Sequence, residues 1–240
     1  MPTIRLLPDL RADGPTHMAH DDAMLRSAAD GVASLRFYTW EPATLSLGYF
    51  QAADARLADA RLAELPWVRR PSGGATIVHH HELTYAIALP AGEPWQKRGE
   101  SWVCRFHGHV VAALRSFGVP VETGLCGLER KLGDVLCFLH HTPGDVILGG
   151  HKVVGSAQRR LRGATLQHGS ILLRQSEHTP ALPGVRELSG KEIPADELKS
   201  AVVAALGWDA EAGEWTESEK QHAMTEKNER FTKDSWNGRR

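Results

Sequence analysis

Apolar residues that recur every three or four positions, together with residues that favour helix ends, predict five helices in this chain. In the longest, from about residue 99 to 117, Trp102, Phe106, Val110, Leu114 and Phe117 would share one face. The others are predicted over 16–30, over 54–65 just before a proline, over 194–207 and, as a polar surface helix, over 216–231.

Residue types that favour helix ends support several of these limits. Thr16 is expected to cap the first helix and Gly31 to end it. Gly207 would stop the fourth helix, and Thr216 with Glu219 forms a capping-box pattern at the start of the fifth.

Runs rich in β-branched and aromatic residues predict strands. LRFYTW and TLSLGYF follow the first helix, and WVRR and ELTYAIALP flank a turn at 72–74 that would join them. The stretch DVILGGHKVVGSAQRRLRGATLQHGSILLR predicts a three-stranded meander that turns at 149–150 and at 161–163. Because strands and helices mix without strict alternation, the expected fold class is α+β, with a mixed, largely antiparallel sheet flanked by helices.

Composition and charge narrow the class of protein. The 240 residues are 42% apolar with a net charge of −1, so the chain lacks the basic excess typical of nucleic-acid binding proteins. No apolar run is long enough to cross a bilayer, and the first residues lack the apolar core of a signal peptide. The three unevenly spaced cysteines indicate no disulfide framework. We therefore expect a soluble cytoplasmic protein that binds neither nucleic acid nor membrane.

Three consecutive histidines raise the question of a metal ion. On a strand, His79 and His81 would share one face while His80 points away, and no acidic residue or cysteine follows at a recognised ligand spacing. His107 and His109 lie two apart on a helix, where side chains diverge. We therefore expect no metal ion and no cofactor.

The turn Ser72-Gly73-Gly74 follows Arg70 and would let a ligand come close to the backbone. Its N–H groups can hold an oxyanion or a carbonyl oxygen. The pattern matches neither the P-loop nor the dinucleotide-binding fingerprint, and a purely structural turn is the alternative.

Among the cysteines, Cys137 is the candidate nucleophile, because a nearby cation can lower the pKa of a thiol. The nearest cation expected to have a fixed place is Lys152, which opens a strand that continues with the small residues Gly155-Ser156-Ala157. A cysteine that only fills the core is the alternative, and it is the reading expected for Cys104 and Cys126.

Three stretches, in order, resemble the lipoate–protein ligase A family: LRFYTWEPATLSLGYFQ, VRRPSGGATIVHHHELTYAI, and LCF followed by DVILGGHKVVGSAQRRLRGATLQHGSILL. The likeness extends from about residue 17 to 173, and it is strongest to the cysteine-dependent octanoyltransferases of that family. The closing EKNERFTKDSWNGR also resembles the family's C-terminal segment. The resemblance implies a single biotin/lipoate ligase-like catalytic domain over 1–240, with about 187–240 as a helical extension packed on it.

The resemblance also implies roles for individual residues. Cys137 corresponds to the family nucleophile and Lys152 to the family lysine. The residues implied to line the pocket for the acyl chain are Arg70, Ser72, Gly73, Gly74, His79, Gly155, Ser156 and Ala157.

The implied reaction moves an octanoyl group from acyl carrier protein to a lysine of a lipoyl domain. The acceptor would be the glycine-cleavage H protein or a dehydrogenase acyltransferase subunit. Thioester exchange onto Cys137 is nearly isoenergetic and needs no ATP, and the incoming amine then resolves the acyl-enzyme. Lys152 would support the thiolate and donate a hydrogen bond to the acyl carbonyl as negative charge develops there.

Three positions depart from the family pattern. Ala75 stands where a third glycine or an arginine is common, and we expect it to reshape the pocket floor. His151 replaces a frequent arginine before Lys152, which removes a permanent charge, and His17 stands where asparagine is usual. None of these changes affects Cys137 or Lys152.

Three other functions remain open at the level of sequence. An amidotransferase that moves octanoyl or lipoyl groups between lipoyl domains would use the same thiol. An ATP-dependent lipoate–protein ligase would need the lysine but no cysteine, and it usually carries an extra C-terminal domain. A non-catalytic lipoyl- or acyl-binding protein would keep only the pocket, and the presence of both Cys137 and Lys152 argues against it.

Overall fold

The computed structural model describes residues 2–96, 101–125, 130–131 and 135–239. Its strands are β1 (Thr3–Leu6), β2 (Leu10–Ala12), β3 (Ser34–Trp40), β4 (Thr44–Leu47), β5 (Trp67–Arg69), β6 (Ile77–His79), β7 (Glu82–Leu89), β8 (Glu122–Thr123), β9 (Arg130–Lys131), β10 (His140–His141), β11 (Val146–Leu148), β12 (His151–Leu161), β13 (Ala164–Leu172) and β14 (Asp209–Ala212). Its helices are α1 (Gly14–Ala29), α2 (Ala60–Ala63), α3 (Trp102–Ser116), α4 (Val185–Ser189), α5 (Ala195–Leu206), α6 (Glu217–Glu226) and α7 (Asp234–Asn237).

The main sheet has nine strands in the order β14-β1-β3-β7-β13-β12-β11-β8, with β2 also paired to β3. From β3 to β8 all neighbours are antiparallel, whereas β1 runs parallel to both β14 and β3. The predicted meander is confirmed as β11, β12 and β13. The α+β class with a mixed, largely antiparallel sheet is confirmed with it.

Alternation along β7 explains why helices cover both faces of this sheet. Leu83, Tyr85 and Ile87 belong to the core cluster that also contains the apolar faces of α3 and α5. Ala86 and Ala88 point to the opposite face, where they pack in one cluster with α1. Successive side chains of a strand point to opposite faces, and the small alanines let α1 lie close to the sheet.

The first helix is confirmed, but its predicted cap is wrong. Asp13 is the capping residue, and its carboxylate accepts a hydrogen bond from the backbone N–H of Thr16 at 2.9 Å. The helix starts earlier because Pro15 fits the first helical turn, where its missing N–H costs nothing. Gly31 follows the helix with a φ of 98°, as its predicted stop role requires.

The prediction of one continuous helix over 54–65 is also wrong, because the segment is divided in two. The segment forms a 3₁₀ turn, Ala53–Ala58, and the short helix α2, with extended backbone at Asp59 between them. The Asp59 carboxylate accepts a hydrogen bond from the N–H of Arg61 at 2.9 Å. An aspartate that caps the following turn competes with continuation of the preceding one.

The chain between β5 and β7 differs from the single turn predicted there. It contains β6, and the small second sheet places β4 between β5 and β6. Val78 of β6 thereby covers Leu45 and Leu47 of β4 in a separate apolar cluster. The glycine turn therefore crosses one end of this small sheet instead of joining two paired strands.

The remaining helices lie close to their predicted limits, except that α6 ends at Glu226 and a π-helical turn, Lys227–Phe231, continues it to the predicted end. The predicted start of the long helix near 99 lies outside the described residues, and α3 itself ends one residue before Phe117. α5 ends at Gly207, whose φ is 64°, and the capping box of Thr216 and Glu219 is present at the start of α6. No helix in the part of the chain that the structure describes has both the length and the apolar character needed to cross a membrane.

The C-terminal segment is fastened to the strand that leads into the glycine turn. The indole N–H of Trp236 donates to the carbonyl of Arg69 at 2.9 Å, and the amide oxygen of Asn237 accepts from the N–H of Arg69 at 2.9 Å. These buried bonds fix the position of β5 and, with it, of Arg70.

Candidate active site

A pocket lies between the main sheet and the small sheet. The space between its walls, counted together with its open mouth, is about 450 Å³. Its apolar wall comes from α1, β3, β6 and the segments around Cys137 and β12: Met18, Tyr38, Trp40, Ile77, Phe138 and Ala157.

Most of the residues predicted for the site meet at this pocket. Those that line it are Cys137, Arg70, Gly73, Gly74, His79, Gly155, Ser156 and Ala157. Lys152 contacts Cys137 but does not itself line the pocket. The hydroxyl of Ser72 is bonded to His168 behind the pocket wall. The structure therefore brings the predicted set together at the pocket, with Ser72 outside its lining.

Backbone pairing places Cys137 at the pocket. The half-buried Cys137 is the first residue of a 3₁₀ turn, Cys137–Leu139. Its N–H donates to the carbonyl of Thr76 at 2.8 Å. The N–H of Thr76 in turn donates to the carbonyl of Val135 at 3.0 Å. This short parallel contact ties the cysteine segment to the residue just after the glycine turn.

Lys152 is buried, and its ammonium is shared among three groups. Its Nζ lies 3.9 Å from Sγ of Cys137, 2.9 Å from Oδ2 of Asp145 and 3.2 Å from the carbonyl oxygen of His140. Two oxygen acceptors therefore hold the ammonium beside the sulfur.

Gly155 makes room for this lysine. A β-carbon at position 155 would lie 2.3 Å from Cε and 2.8 Å from Nζ of Lys152. The sequence suggested that small residues here admit the ligand. Gly155 does line the pocket, but its lack of a side chain also lets the lysine pass over the strand.

Asp145 is a site residue that the sequence prediction missed. Its carboxylate is buried, pairs with Lys152 and accepts hydrogen bonds from the N–H and the hydroxyl of Thr142 at 2.8 and 3.0 Å. A buried ammonium needs a counter-charge. That requirement, applied to the acids between Cys137 and Lys152, would have pointed to this turn.

A chain of hydrogen bonds fixes His79 in the pocket wall. Arg70 donates to Oγ of Ser46 at 2.5 Å, and this hydroxyl lies 2.6 Å from Nε2 of His79. Nδ1 of His79 lies 2.6 Å from Oε1 of Glu82, and its ring stacks on Trp40 at 3.7 Å. Burial lowers the pKa of His79 despite the opposing effect of Glu82. Both ring nitrogens are engaged, so His79 contributes its ring to the wall.

Arg70 also holds the glycine turn in place. Its guanidinium donates to the carbonyls of Gly73 and Ala75 at 3.3 and 2.8 Å. Burial lowers the pKa of Arg70 to about 10, and an ionised Cys137 would raise this pKa. The guanidinium therefore stays charged at neutral pH. Gly74 has a φ of 92°, and its carbonyl oxygen would lie 1.8 Å from a β-carbon at Gly48. The close backbone contact thus explains glycine at 48, and the positive φ explains glycine at 74.

Ser72 belongs to a second buried network behind the turn. Its Oγ lies 2.5 Å from Nε2 of His168, whose Nδ1 lies 2.7 Å from Oδ2 of Asp21. Burial alone would raise the pKa of Asp21, but Arg36 and His168 outweigh it and lower the pKa to about 2. The order Ser-His-Asp resembles a catalytic triad, but the hydroxyl is off the pocket wall and its residue is 1% exposed. This network supports the turn from behind.

A third buried group lies under Ser156. Nδ1 of His107 donates to the carbonyl of Gly144 at 2.5 Å, so Nε2 accepts, and it lies 2.5 Å from Oγ of Ser156 and 2.9 Å from the hydroxyl of Tyr85. Burial lowers the pKa of His107 to about 4, which keeps the ring neutral. The neutral ring fixes both the floor of the pocket and the turn that presents Asp145.

Comparison with known proteins identifies the family of this chain. The model of the family described as lipoyl protein ligase A/B catalytic domain matches residues 13–182. The chain belongs to this family. The matched part contains the glycine turn, the cysteine segment and the lysine strand that surround the pocket.

Several members of this family are similar along their whole length. The octanoyltransferase LipM of Symbiobacterium thermophilum is 31% identical over 98% of both chains, and that of Kyrpidia tusciae is 32% identical over 100% of both. A lipoate-protein ligase A bound with ATP superposes with a TM-score of 0.80 at 21% identity, over 99% of both chains. The bipartite lipoate protein ligase of Thermoplasma acidophilum gives a TM-score of 0.76 at 21% identity, over 99% of this chain and 97% of that one. The two structures confirm the predicted lipoate-ligase-like fold.

Proposed function

We propose that this protein is an octanoyltransferase of lipoate biosynthesis that works through a thioester on Cys137. The observation that carries the covalent step is the distance of 3.9 Å between Nζ of Lys152 and Sγ of Cys137 at the wall of an apolar pocket. The full-length relatives named octanoyltransferases support the acyl group and the type of reaction.

In the first step, the Cys137 thiolate attacks the carbonyl carbon of an octanoyl thioester. A C–S bond forms to the enzyme as the bond to the carrier sulfur breaks, and the carrier leaves as a thiolate that takes a proton from water. Lys152 stabilises the attacking thiolate and then the oxyanion of the tetrahedral intermediate, because its ammonium is held close to both by Asp145.

In the second step, a neutral lysine amine of the acceptor attacks the acyl-enzyme. The C–N bond of the amide forms, the Cys137 thiolate leaves, and the surplus proton of the amine passes to solvent. The thioester already supplies the driving force, so neither step consumes ATP.

The acyl tail would occupy the apolar part of the pocket. Met18, Tyr38, Ile77 and Phe138 offer a surface with few polar groups, and the tail loses water contact there. The glycine turn, held by Arg70, would face the carbonyl end of the chain.

The donor we propose is octanoyl-acyl carrier protein, and the acceptor is a lipoyl domain such as the glycine-cleavage H protein or a dehydrogenase acyltransferase subunit. We further propose that residues 1–240 act as one catalytic unit. The bonds of Trp236 and Asn237 to Arg69, next to Arg70, support a part for the 187–240 extension in shaping the pocket.

Intact mass spectrometry after incubation with octanoyl-acyl carrier protein tests the covalent step. We expect one added octanoyl group in the wild type and in Cys104→Ala, the exposed matched control, and none in Cys137→Ala. An adduct that persists in Cys137→Ala would overturn the assignment of the nucleophile.

Separate donors distinguish the related reactions. Octanoyl-acyl carrier protein should acylate Cys137 without nucleotide, and a lipoyl-domain acceptor should then remove the acyl group. Faster acylation from an octanoylated lipoyl domain would instead indicate an amidotransferase. ATP-dependent modification of the acceptor by Cys137→Ser with free lipoate would indicate a ligase.

A further inference from the structure

The proposed reaction uses only the first of the three consecutive histidines. His79 is fixed in the pocket wall, whereas His80 and His81 lie in the bend between β6 and β7. Their rings stack at a centroid distance of 3.6 Å with an interplanar angle of 26°. The expected separation of the two side chains onto opposite faces is wrong, because the strand ends at His79 and its alternation ends with it.

A carboxylate from a distant part of the chain meets these two rings. Glu177 follows β13, and its Oε2 lies 3.4 Å from Nδ1 of His80 and 3.9 Å from Nε2 of His81. One ligand atom from each of the three residues lies within 4.8 Å of the other two. The other oxygen of Glu177, Oε1, lies 3.9 Å from Nε2 of His178.

Backbone contacts hold the two loops that carry these residues. The N–H groups of Leu173 and Arg174 both donate to the carbonyl of His81 at 3.1 Å. The buried Ser176 places its hydroxyl 3.0 Å from Nδ1 of His80 and accepts from the N–H of His178 at 3.2 Å. The imidazoles and the carboxylate are therefore brought together by the fold, not only by their own attraction.

A second group of this kind within the described residues shows what distinguishes the first. Asp22, His222 and Glu226 also come together, but arginines already neutralise them. Arg230 lies 3.4 Å from Asp22 and 3.2 Å from Glu226, and Arg26 lies 3.2 Å from Asp22. The salt bridges of Glu177 are instead with histidines, which become metal ligands when neutral.

We propose that His80, His81 and Glu177, with His178 as a fourth donor, bind a divalent first-row transition ion such as Zn²⁺. Two donors of a tetrahedral zinc site lie about 3.3 Å apart when the bonds are about 2.0–2.1 Å long. His80 and Glu177 are already at 3.4 Å, and His81 lies 3.9 Å from the same carboxylate oxygen. Nitrogen and carboxylate donors in this combination suit zinc, cobalt or nickel.

Occupation needs two local adjustments. The hydroxyl of Ser176 turns away from Nδ1 of His80, and the exposed guanidinium of Arg174 moves from its position 3.3 Å from Nδ1 of His81. The ion would join the β6–β7 bend to the loop after β13. A small cleft beside it shares Ile77 and Phe138 with the acyl pocket, so this joint would stiffen one wall of that pocket.

Titration of metal-free protein, lacking any affinity tag, with Zn²⁺ tests the site, and Co²⁺ reports the ligands by its visible spectrum. The test uses the Cys104→Ser/Cys137→Ser variant, so that these two thiols do not compete. We expect one tight equivalent, and at least a tenfold loss of affinity in both His81→Ala and Glu177→Gln, because each removes a ligand. His151→Ala, an exposed histidine outside the cluster, is the matched control and should bind as the parent does.

Three results would overturn the proposal. The first is failure of the parent protein to bind Zn²⁺, and the second is undiminished binding in a His80→Ala/His81→Ala variant. The third is a near-ultraviolet charge-transfer band from sulfur to cobalt, which would assign the ion to the remaining cysteine. Because none of these readouts uses acyl transfer, they are independent of the proposed function.

Discussion

Two buried ion pairs lie near the same pocket, and they differ in what their charges contact. Arg36 and Asp21 are both fully buried, and Lys152 and Asp145 are almost so, at 4% side-chain exposure each. Asp21 accepts hydrogen bonds from Arg36 and Tyr38 and contacts His168. The ammonium of Lys152 instead lies next to the half-buried thiol of Cys137 as well as to Asp145.

This difference in surroundings indicates that the two ion pairs have different roles. The Arg36–Asp21 pair is enclosed by protein groups, so its charges act on the stability of the fold. The Lys152–Asp145 pair leaves its cation next to the sulfur that we propose as the nucleophile, and under that proposal its charge acts on the chemistry as well. The following predictions test the two pairs and the buried histidine beneath the pocket, from the largest expected effect to the smallest.

Asp21→Asn is expected to lower the free energy of unfolding by about 3–5 kcal/mol, because it leaves the buried charge of Arg36 without its partner. Urea denaturation measures this loss. Asp30→Asn, at an exposed carboxylate, is the control and should change stability by less than about 0.5 kcal/mol. Equal effects of the two variants would contradict the structural role of the Arg36–Asp21 pair.

Lys152→Met is expected to slow acylation of Cys137 by about 10²–10³-fold, because a fixed positive charge at the developing oxyanion is lost. Rapid-quench mass spectrometry with octanoyl-acyl carrier protein measures the rate, well below the denaturation midpoint. Lys220→Met removes an exposed lysine and should leave the rate unchanged. An unchanged rate in Lys152→Met would remove this residue from the chemistry.

The free energy of unfolding is expected to fall as the pH drops from about 6.5 to 4. Burial lowers the folded-state pKa of His107 to about 4, so in this window the unfolded chain binds a proton that the folded chain does not. The full effect of this group is about 3 kcal/mol, present above pH 6.5 and lost by pH 4.

Denaturation of His107→Gln across the same pH range checks the origin of this effect. The variant should show a shallower pH dependence between 6.5 and 4. Both proteins should still lose about 2 kcal/mol between about pH 4 and 2, because in this window Asp21 takes up a proton in the unfolded chain but stays ionised in the folded chain, where its pKa is about 2. The same slope in both proteins would show that His107 is not responsible.

Gly155→Ala is expected to slow acylation by about tenfold, because the new β-carbon would displace the side chain of Lys152. Gly108→Ala, in the interior of α3 with open space around it, is the matched change and should not alter the rate. If Gly155→Ala acylates normally, the lysine has more room than the structure indicates.

Much of the fold follows from local patterns in the sequence. Helical periodicity located α3 and α5, and turn residues located the meander from β11 to β13. These predictions succeeded because the information lies within a few residues, as with Gly207 and the capping box of Thr216 and Glu219. The predicted helix over 54–65 failed because Asp59 prefers to cap a new turn, a choice that periodicity does not show.

The family motifs in the sequence determined which residues to expect at the site, including Cys137 and Lys152. Only the tertiary structure decided which groups surround them. Asp145 as the partner of Lys152, Ser72 behind the pocket wall, and Glu177 beside His80 all depend on contacts that chain folding brings about. The physical reason is that charge pairing and burial depend on distances in space, and neighbours in space can be a hundred residues apart, as Ser72 and His168 nearly are.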